Sequence, residues 1–231
     1  MNITWLGHGS FELRLDSGET IIIDPWIDGN PSYPAGYVIE RCDTILVTHG
    51  HFDHILGVPQ LCEKFSPTVV ANYEIAAWFS SKGIQNTIGM NKGGSVQVGA
   101  IKATMTNAIH SSSIDDNGTV IPAGEPAGFV IHLPDGRRIY FAGDTAVHSD
   151  MALVEALYQP ELVFLPIGDL YTMDPLQAAL ACRMLRPKFV VPMHYGTFPP
   201  LTGTPEALAR LISDLPLTKV QALTPGVPWT Y

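Results

Sequence analysis

The sequence predicts an α/β (α+β) protein arranged as a four-layer αββα sandwich, with two mixed β-sheets packed face to face and helices outside. Two strand-rich segments are each followed by a segment in which strands alternate with helices, which gives each sheet its own covering helices. Hydrophobic residues make up 46% of the chain and charged residues only 15%, a balance suited to sheets buried on both faces. No stretch rich in Gly, Ser or like charges divides the chain, and no fixed-period repeat is present. Residues 1–231 therefore read as one domain, within the usual span of roughly 50 to 250 residues.

The elements follow in order. Ile3 to Leu6, Ser10 to Leu15 and Thr20 to Asp24 are β-prone runs broken by Gly7-His8-Gly9 and Asp16-Ser17-Gly18, which predicts an antiparallel meander. A buried strand at Thr44 to Val47 comes next, then a short helix near Ile55 to Phe65, a strand at Thr68 to Ala71 and a helix over Glu74 to Lys82. Ser95 to Met105 is strand-like, and Ser111 to Glu125 has the Gly, Pro and Asp content of a loop. Ala127 to Leu133 and Arg138 to Ala142 form a hairpin through Pro134-Asp135-Gly136, whose Asp-Gly supplies the positive φ of a tight turn. Helix and strand then alternate: Asp150 to Tyr158, Leu162 to Pro166, Pro175 to Leu185, Phe189 to Pro192, Pro205 to Leu215 and Val220 to Leu223. Asp174-Pro175 and Thr204-Pro205 mark two of the helix starts.

A formal net charge of −9 argues against nucleic acid as a partner, because binding to phosphate backbones needs clustered Lys and Arg. Cys42, Cys62 and Cys182 are odd in number and lack a Cys-x-x-Cys pair, so neither a disulfide framework nor a thiolate zinc cluster is signalled. The opening Met1-Asn2-Ile3-Thr4 lacks a basic start followed by an apolar stretch, and no apolar run reaches membrane length. The expectation is a cytoplasmic protein with no membrane partner. Trp26, Trp78 and Trp229 leave self-association as a homo-oligomer open.

The chemistry centres on Thr48-His49-Gly50-His51-Phe52-Asp53-His54, directly after an apolar strand. In extended backbone alternate side chains share a face, so His49 and His51 can converge on one ion while Asp53 and His54 point to a second. His110, Asp144 and His194 are each a ligand-type residue just past an apolar strand. Strand ends hold loops rigidly while leaving side chains accessible. Each of these residues alone would pass for an ordinary loop polar group; together with the His49 motif they read as a metal site.

These residues resemble the metallo-β-lactamase superfamily, whose His-x-His-x-Asp-His signature stands here as His49 to His54. Gly7-His8-Gly9-Ser10, Asp24-Pro25-Trp26, His110-Ser111-Ser112, Gly143-Asp144-Thr145 and Pro192-Met193-His194-Tyr195 resemble more narrowly the UPF0173 metal-dependent hydrolases and their ascorbate-phosphate lactonase relatives. The resemblance implies that His49, His51 and His110 hold one metal, that Asp53, His54 and His194 hold the other, and that Asp144 bridges them. Imidazole and carboxylate donors suit zinc first, with manganese, nickel or iron also accepted. The implied activity is hydrolysis of a small ester, lactone, thioester or phosphodiester by metal-activated hydroxide, with Asp53 and Asp144 catalytic. A metal-binding or ligand-sensing protein without turnover is the alternative, and a nuclease of the tRNA-maturation type is less favoured.

Around the ligands, Asp24 reads either as a partner of a metal-bound imidazole or as a turn residue before Pro25. His8 reads either as an active-site residue or as a turn histidine. Ser111, Ser112, Tyr195 and Phe198 are candidates for the substrate pocket. His132 reads as exposed and structural, and His148 as a helix-entry residue.

Overall fold

A computed structural model describes residues 1–231. The chain begins with an antiparallel meander of β1 (Asn2–Trp5), β2 (Phe11–Arg14) and β3 (Thr20–Ile23). It continues in parallel through β4 (Thr44–Leu46), α1 (Phe52–Ile55), α2 (Val58–Phe65), β5 (Thr68–Asn72), α3 (Tyr73–Ser81) and β6 (Thr87–Met90). A second sheet is entered through β7 (Ser95–Val98) and β8 (Ile101–Asn107). A two-stranded ribbon of β9 (Ser113–Asp116) and β10 (Thr119–Pro122) precedes the hairpin of β11 (Ala127–His132) and β12 (Arg138–Phe141). The rest is α4 (Asp150–Tyr158), β13 (Leu162–Pro166), α5 (Pro175–Leu185), β14 (Phe189–Met193), α6 (Pro205–Leu211), β15 (Lys219–Val220) and β16 (Trp229–Thr230).

The first sheet has the order β16-β1-β2-β3-β4-β5-β6 and the second β15-β14-β13-β12-β11-β8-β7. Alternation along each strand builds three apolar layers. Ile21 and Ile23 of β3 point between the sheets, where Phe11 packs edge-to-face on Phe164 at 4.8 Å and on Phe141 at 5.8 Å. Ile22 points outward, under α2 and α3 with Val58, Leu61 and Phe79. On the far side Tyr140, Val163 and Val190 meet Ala178, Cys182 and Leu208 of α5 and α6. This is the expected αββα order. Asp174 and Thr204 cap their helices by accepting the amides of Gln177 (2.7 Å) and Ala207 (3.2 Å), as the Pro at each first turn anticipates.

Several boundaries differ from the sequence reading. Residues expected as the loop Ser111 to Glu125 include the ribbon β9–β10, the helix near Ile55 is two helices broken at Leu56-Gly57, and α6 stops at Leu211 rather than Leu215. The three cysteines are free thiols. Trp26 is buried and so offers no surface for self-association, whereas His132 is half-buried, its Nε2 3.0 Å from the Thr104 hydroxyl. No helix is long and apolar enough to cross a membrane.

Candidate metal centre

Both sheets deliver polar side chains to one edge of the sandwich. From the first come His8, in the turn after β1, Asp24 after β3, and the segment His49 to His54 running from β4 into α1. From the second come His110 after β8, Asp144 after β12 and His194 after β14. Three of these residues take a left-handed backbone: His8 at φ 54°, Asp24 at φ 47° and His194 at φ 56°. That conformation is uncommon outside glycine, and its concentration here turns each chain sharply at its strand end.

The imidazoles gather in two groups. Ring nitrogens of His49, His51 and His110 lie within 4.8 Å of one another, as do donor atoms of His8, Asp53, His54 and His194. Between the groups sits Asp144, buried, with Oδ2 3.0 Å from His194 Nε2, 3.4 Å from His54 Nε2, 3.7 Å from His110 Nε2 and 3.9 Å from His49 Nε2. The sequence-derived ligand residues thus converge without exception.

Asp24 fixes which nitrogens face inward. It accepts the Thr48 amide at 2.8 Å and the Thr48 hydroxyl at 2.6 Å, so that hydroxyl oxygen is left to accept from His49 Nδ1 at 3.0 Å. It also accepts from His54 Nδ1 at 2.8 Å. One carboxylate therefore orients two rings with Nε2 toward Asp144, the arrangement metal-binding imidazoles commonly use. His8 Nε2 donates to Asp53 Oδ2 at 2.9 Å, and its Nδ1 takes the Thr197 hydroxyl at 2.9 Å.

Burial pushes His49, His51 and His110 below the usual histidine range, which keeps them neutral and free to donate a lone pair. It lowers His8 likewise, to about 4. Burial acts in the same direction on His54, but Asp144, Asp53 and Asp24 override it and raise that ring well above the ordinary value. Burial would raise Asp144, yet His194 and His54 hold it far below the carboxylate range. Asp53 and Asp144 are both held below the carboxylate range, whereas burial pushes Asp24 up, and the two charges left at the centre call for positive charge. His54 Nε2 and Asp144 Oδ1 are also buried without a hydrogen-bond partner, a state that needs an explanation in a folded protein. A donor set of imidazole and carboxylate with such orphaned atoms fits divalent transition-metal ions.

A cleft of about 560 Å³ opens over this floor; His51, Asp53, His110, Asp144 and His194 face it, and Phe52, Ser111, Tyr171, Phe198, Pro199 and Pro200 form its walls. Phe198 and Ser111 are thus at the cleft. Tyr195 is not: the turn at His194 sends its ring back to stack on Trp5, 5.2 Å away, against the inter-sheet core. Ser112 binds backbone instead of facing the cleft, accepting the Gly50 amide at 3.2 Å and donating to Ala123 O at 3.1 Å. His148, at the entry to α4, is buried away from the cleft with neither ring nitrogen partnered. The sequence reading missed Thr48 and Thr197. Thr48 adjoins the motif and could have been found as a hydroxyl flanking His49; Thr197 carries no local signal.

Paired mixed sheets with His and Asp gathered at one shared edge define a metal-dependent hydrolase of the metallo-β-lactamase fold. A model of the β-lactamase superfamily domain matches residues 19–195. A UPF0173 metal-dependent hydrolase of Solibacter usitatus is 60% identical over 99% of both chains, and one of Roseiflexus castenholzii is 50% identical over 91% of this chain and 89% of its own. Among solved structures, Igni18, a metallo hydrolase from the hyperthermophilic archaeon Ignicoccus hospitalis, superposes with a TM-score of 0.87 at 34% identity, covering 100% of this chain and 98% of that one. The chain belongs to the β-lactamase superfamily and, within it, to the UPF0173 metal-dependent hydrolases.

Proposed function

We propose that this chain hydrolyses a small ester, lactone, thioester or phosphodiester with two divalent transition-metal ions, zinc first among them. The observation that supports this best is the position of Asp144 Oδ2, one carboxylate oxygen within 3.0 to 3.9 Å of imidazoles from both groups. In this reading His49, His51 and His110 hold one ion, Asp53, His54 and His194 the other, and Asp144 both. Such ions, when bound, bring the pKa of water from 15.7 toward roughly 7 and polarise a carbonyl or phosphoryl oxygen.

The protein's own groups do the rest. Asp53 lines the cleft with its Oδ2 steadied by His8, and its carboxylate is the proposed acceptor for the proton of the attacking water. Asp24 and Thr48 engage Nδ1 of His54 and His49, which leaves Nε2 of each ring as the nitrogen turned toward the ions. Because both sheets supply donors to one site, residues 1–231 are best taken as a single hydrolase domain. Lys and Arg are missing from the cleft lining, which weighs against the nuclease alternative.

The test is a panel of ester, lactone, thioester and phosphodiester substrates assayed before chelation, after it and after reloading with zinc or manganese. Turnover lost and then regained is expected for at least one class. Hydrolysis indifferent to chelation would overturn the metal-dependent mechanism.

A further inference from the structure

The walls of the cleft are unusual in what they present. Phe52, between His51 and Asp53 in the metal motif, is 53% exposed, and Tyr171 on the opposite loop is 57% exposed. Neither hangs free. The buried Trp26 braces Phe52 edge-on at 5.5 Å and Phe198 at 5.9 Å, and His8 packs against Phe198 at 5.8 Å. Tyr171 is set by a strained turn: Asp169 and Leu170 both take positive φ, 71° and 52°, and the Leu170 amide donates to Asp169 Oδ1 at 2.7 Å. Non-glycine residues in this region cost stability and gather at functional sites. A buried tryptophan supporting two rings, and a wound loop presenting a third, make a built aromatic wall.

Charge points the same way. No Lys or Arg lines the cleft, and its side-chain polar groups outside the proposed ligands and His8 are the hydroxyls of Ser111, whose Oγ lies 3.3 Å from His51 Nε2, and of Tyr171. A desolvated carboxylate or phosphate needs a cation or several charge-assisted donors, and here an anion held away from the reacting bond would meet Phe52, Phe198 and Pro199. The chain's net charge of −9 adds repulsion on approach.

We infer, building on the hydrolase reading above, that the cleft takes an uncharged ester or lactone bearing a flat apolar substituent, and discriminates against substrates with a second anionic group away from the scissile bond. Phe52, Tyr171 and Phe198 grip the substituent, and the hydroxyls of Ser111 and Tyr171 serve its ester oxygens.

Phenyl acetate and 4-carboxyphenyl acetate test this, since they share the scissile ester and differ in one remote charge. For the zinc-loaded protein, kcat/KM at least about tenfold higher for phenyl acetate is expected. Phe52→Leu and Phe198→Leu should each raise KM for phenyl acetate about five- to tenfold with kcat within about twofold. Metal content measured on both variants separates a lost wall from a disturbed centre, and Phe198→Leu decides should Phe52→Leu lose metal. Independently of turnover, NMR saturation transfer should show benzyl methyl ketone binding and its 4-carboxylate analogue failing to bind. Hydrolysis of both esters with equal kcat/KM would overturn this inference alone. Failure to hydrolyse either, together with failure across the wider substrate panel, would overturn the hydrolase reading and this inference with it.

Discussion

Oδ2 of Asp24 lies 2.8 Å from Nδ1 of His54, and both side chains are closed off from solvent. The same carboxylate takes the Thr48 amide and hydroxyl, and through that hydroxyl sets His49. A single residue outside the ligand set thus orients one imidazole of each group.

Asp24→Ala should therefore weaken metal binding by about 10- to 100-fold, the usual consequence of removing such a partner. It also leaves the buried Thr48 amide unpaired, for a further loss of about 1–3 kcal/mol in stability. Competition with a chromophoric chelator and urea denaturation would read the two effects separately; unchanged affinity would rule out the orienting role.

His51 is half-buried and contributes no core packing, so His51→Ala should lose metal and turnover while shifting Tm by only a few degrees. Full activity in that variant would refute its assignment as a ligand.

Gly50 sits where an added Cβ would come within 2.6 Å of Ala123 Cβ and 2.9 Å of Ile114 Cγ1. The space this glycine leaves is filled by the ribbon loop packed behind the motif. Gly50→Ala should cost about 1–3 kcal/mol through overpacking and displace His49 and His51 enough to weaken metal binding. Denaturant midpoints with and without metal would show a larger loss in the metal-loaded protein.

In the metal-free protein, His8 has a folded pKa lowered to about 4 against 6.5 in the unfolded chain. Below pH 6.5 the unfolded state binds a proton that the folded state refuses, so stability falls as the pH drops from about 6.5 to 4. His49, His51 and His110, also lowered, add in the same direction. His54 opposes them: its raised pKa gives stability that is complete below 6.5 and lost as pH rises through the folded value. Thermal melts of chelated protein should show Tm falling from pH 6.5 to 4, and falling less in His8→Gln. An identical profile in the variant would contradict the assignment of His8 as a buried neutral ring.

Much of this architecture is legible in the sequence because its signals are local. The boundaries of α4, β13 and α5 match, α5 because the Asp174 cap and Pro175 mark its start and α4 and β13 because their apolar runs are sharply bounded. The ribbon was also marked: Asn117 and Gly118, at φ 56° and 85°, form the two-residue turn that Asn-Gly favours, but the surrounding Asp and Gly content outweighed it. β16 is two residues long, made by pairing Asn2 with Thr230 and Ile3 with Trp229, and no window along the chain can reveal a partner that distant. The same limit applies to Thr197, which meets His8 across 189 residues of sequence. The proposed ligands were readable because His110, Asp144 and His194 each close an apolar strand and the other four share one motif; their partners were not, because folding alone brings them near. Tyr195 shows the opposite error, where adjacency to His194 suggested a role that the positive φ of His194 removes.

The most direct test of the two-ion centre is metal content per chain by elemental analysis, in the wild-type protein and in Asp144→Asn. Close to two transition-metal ions per wild-type chain, with both weakened together in the variant, is the expected result. A single ion in the wild type, or a variant that loses one ion and keeps the other at full affinity, would contradict a centre shared through Asp144.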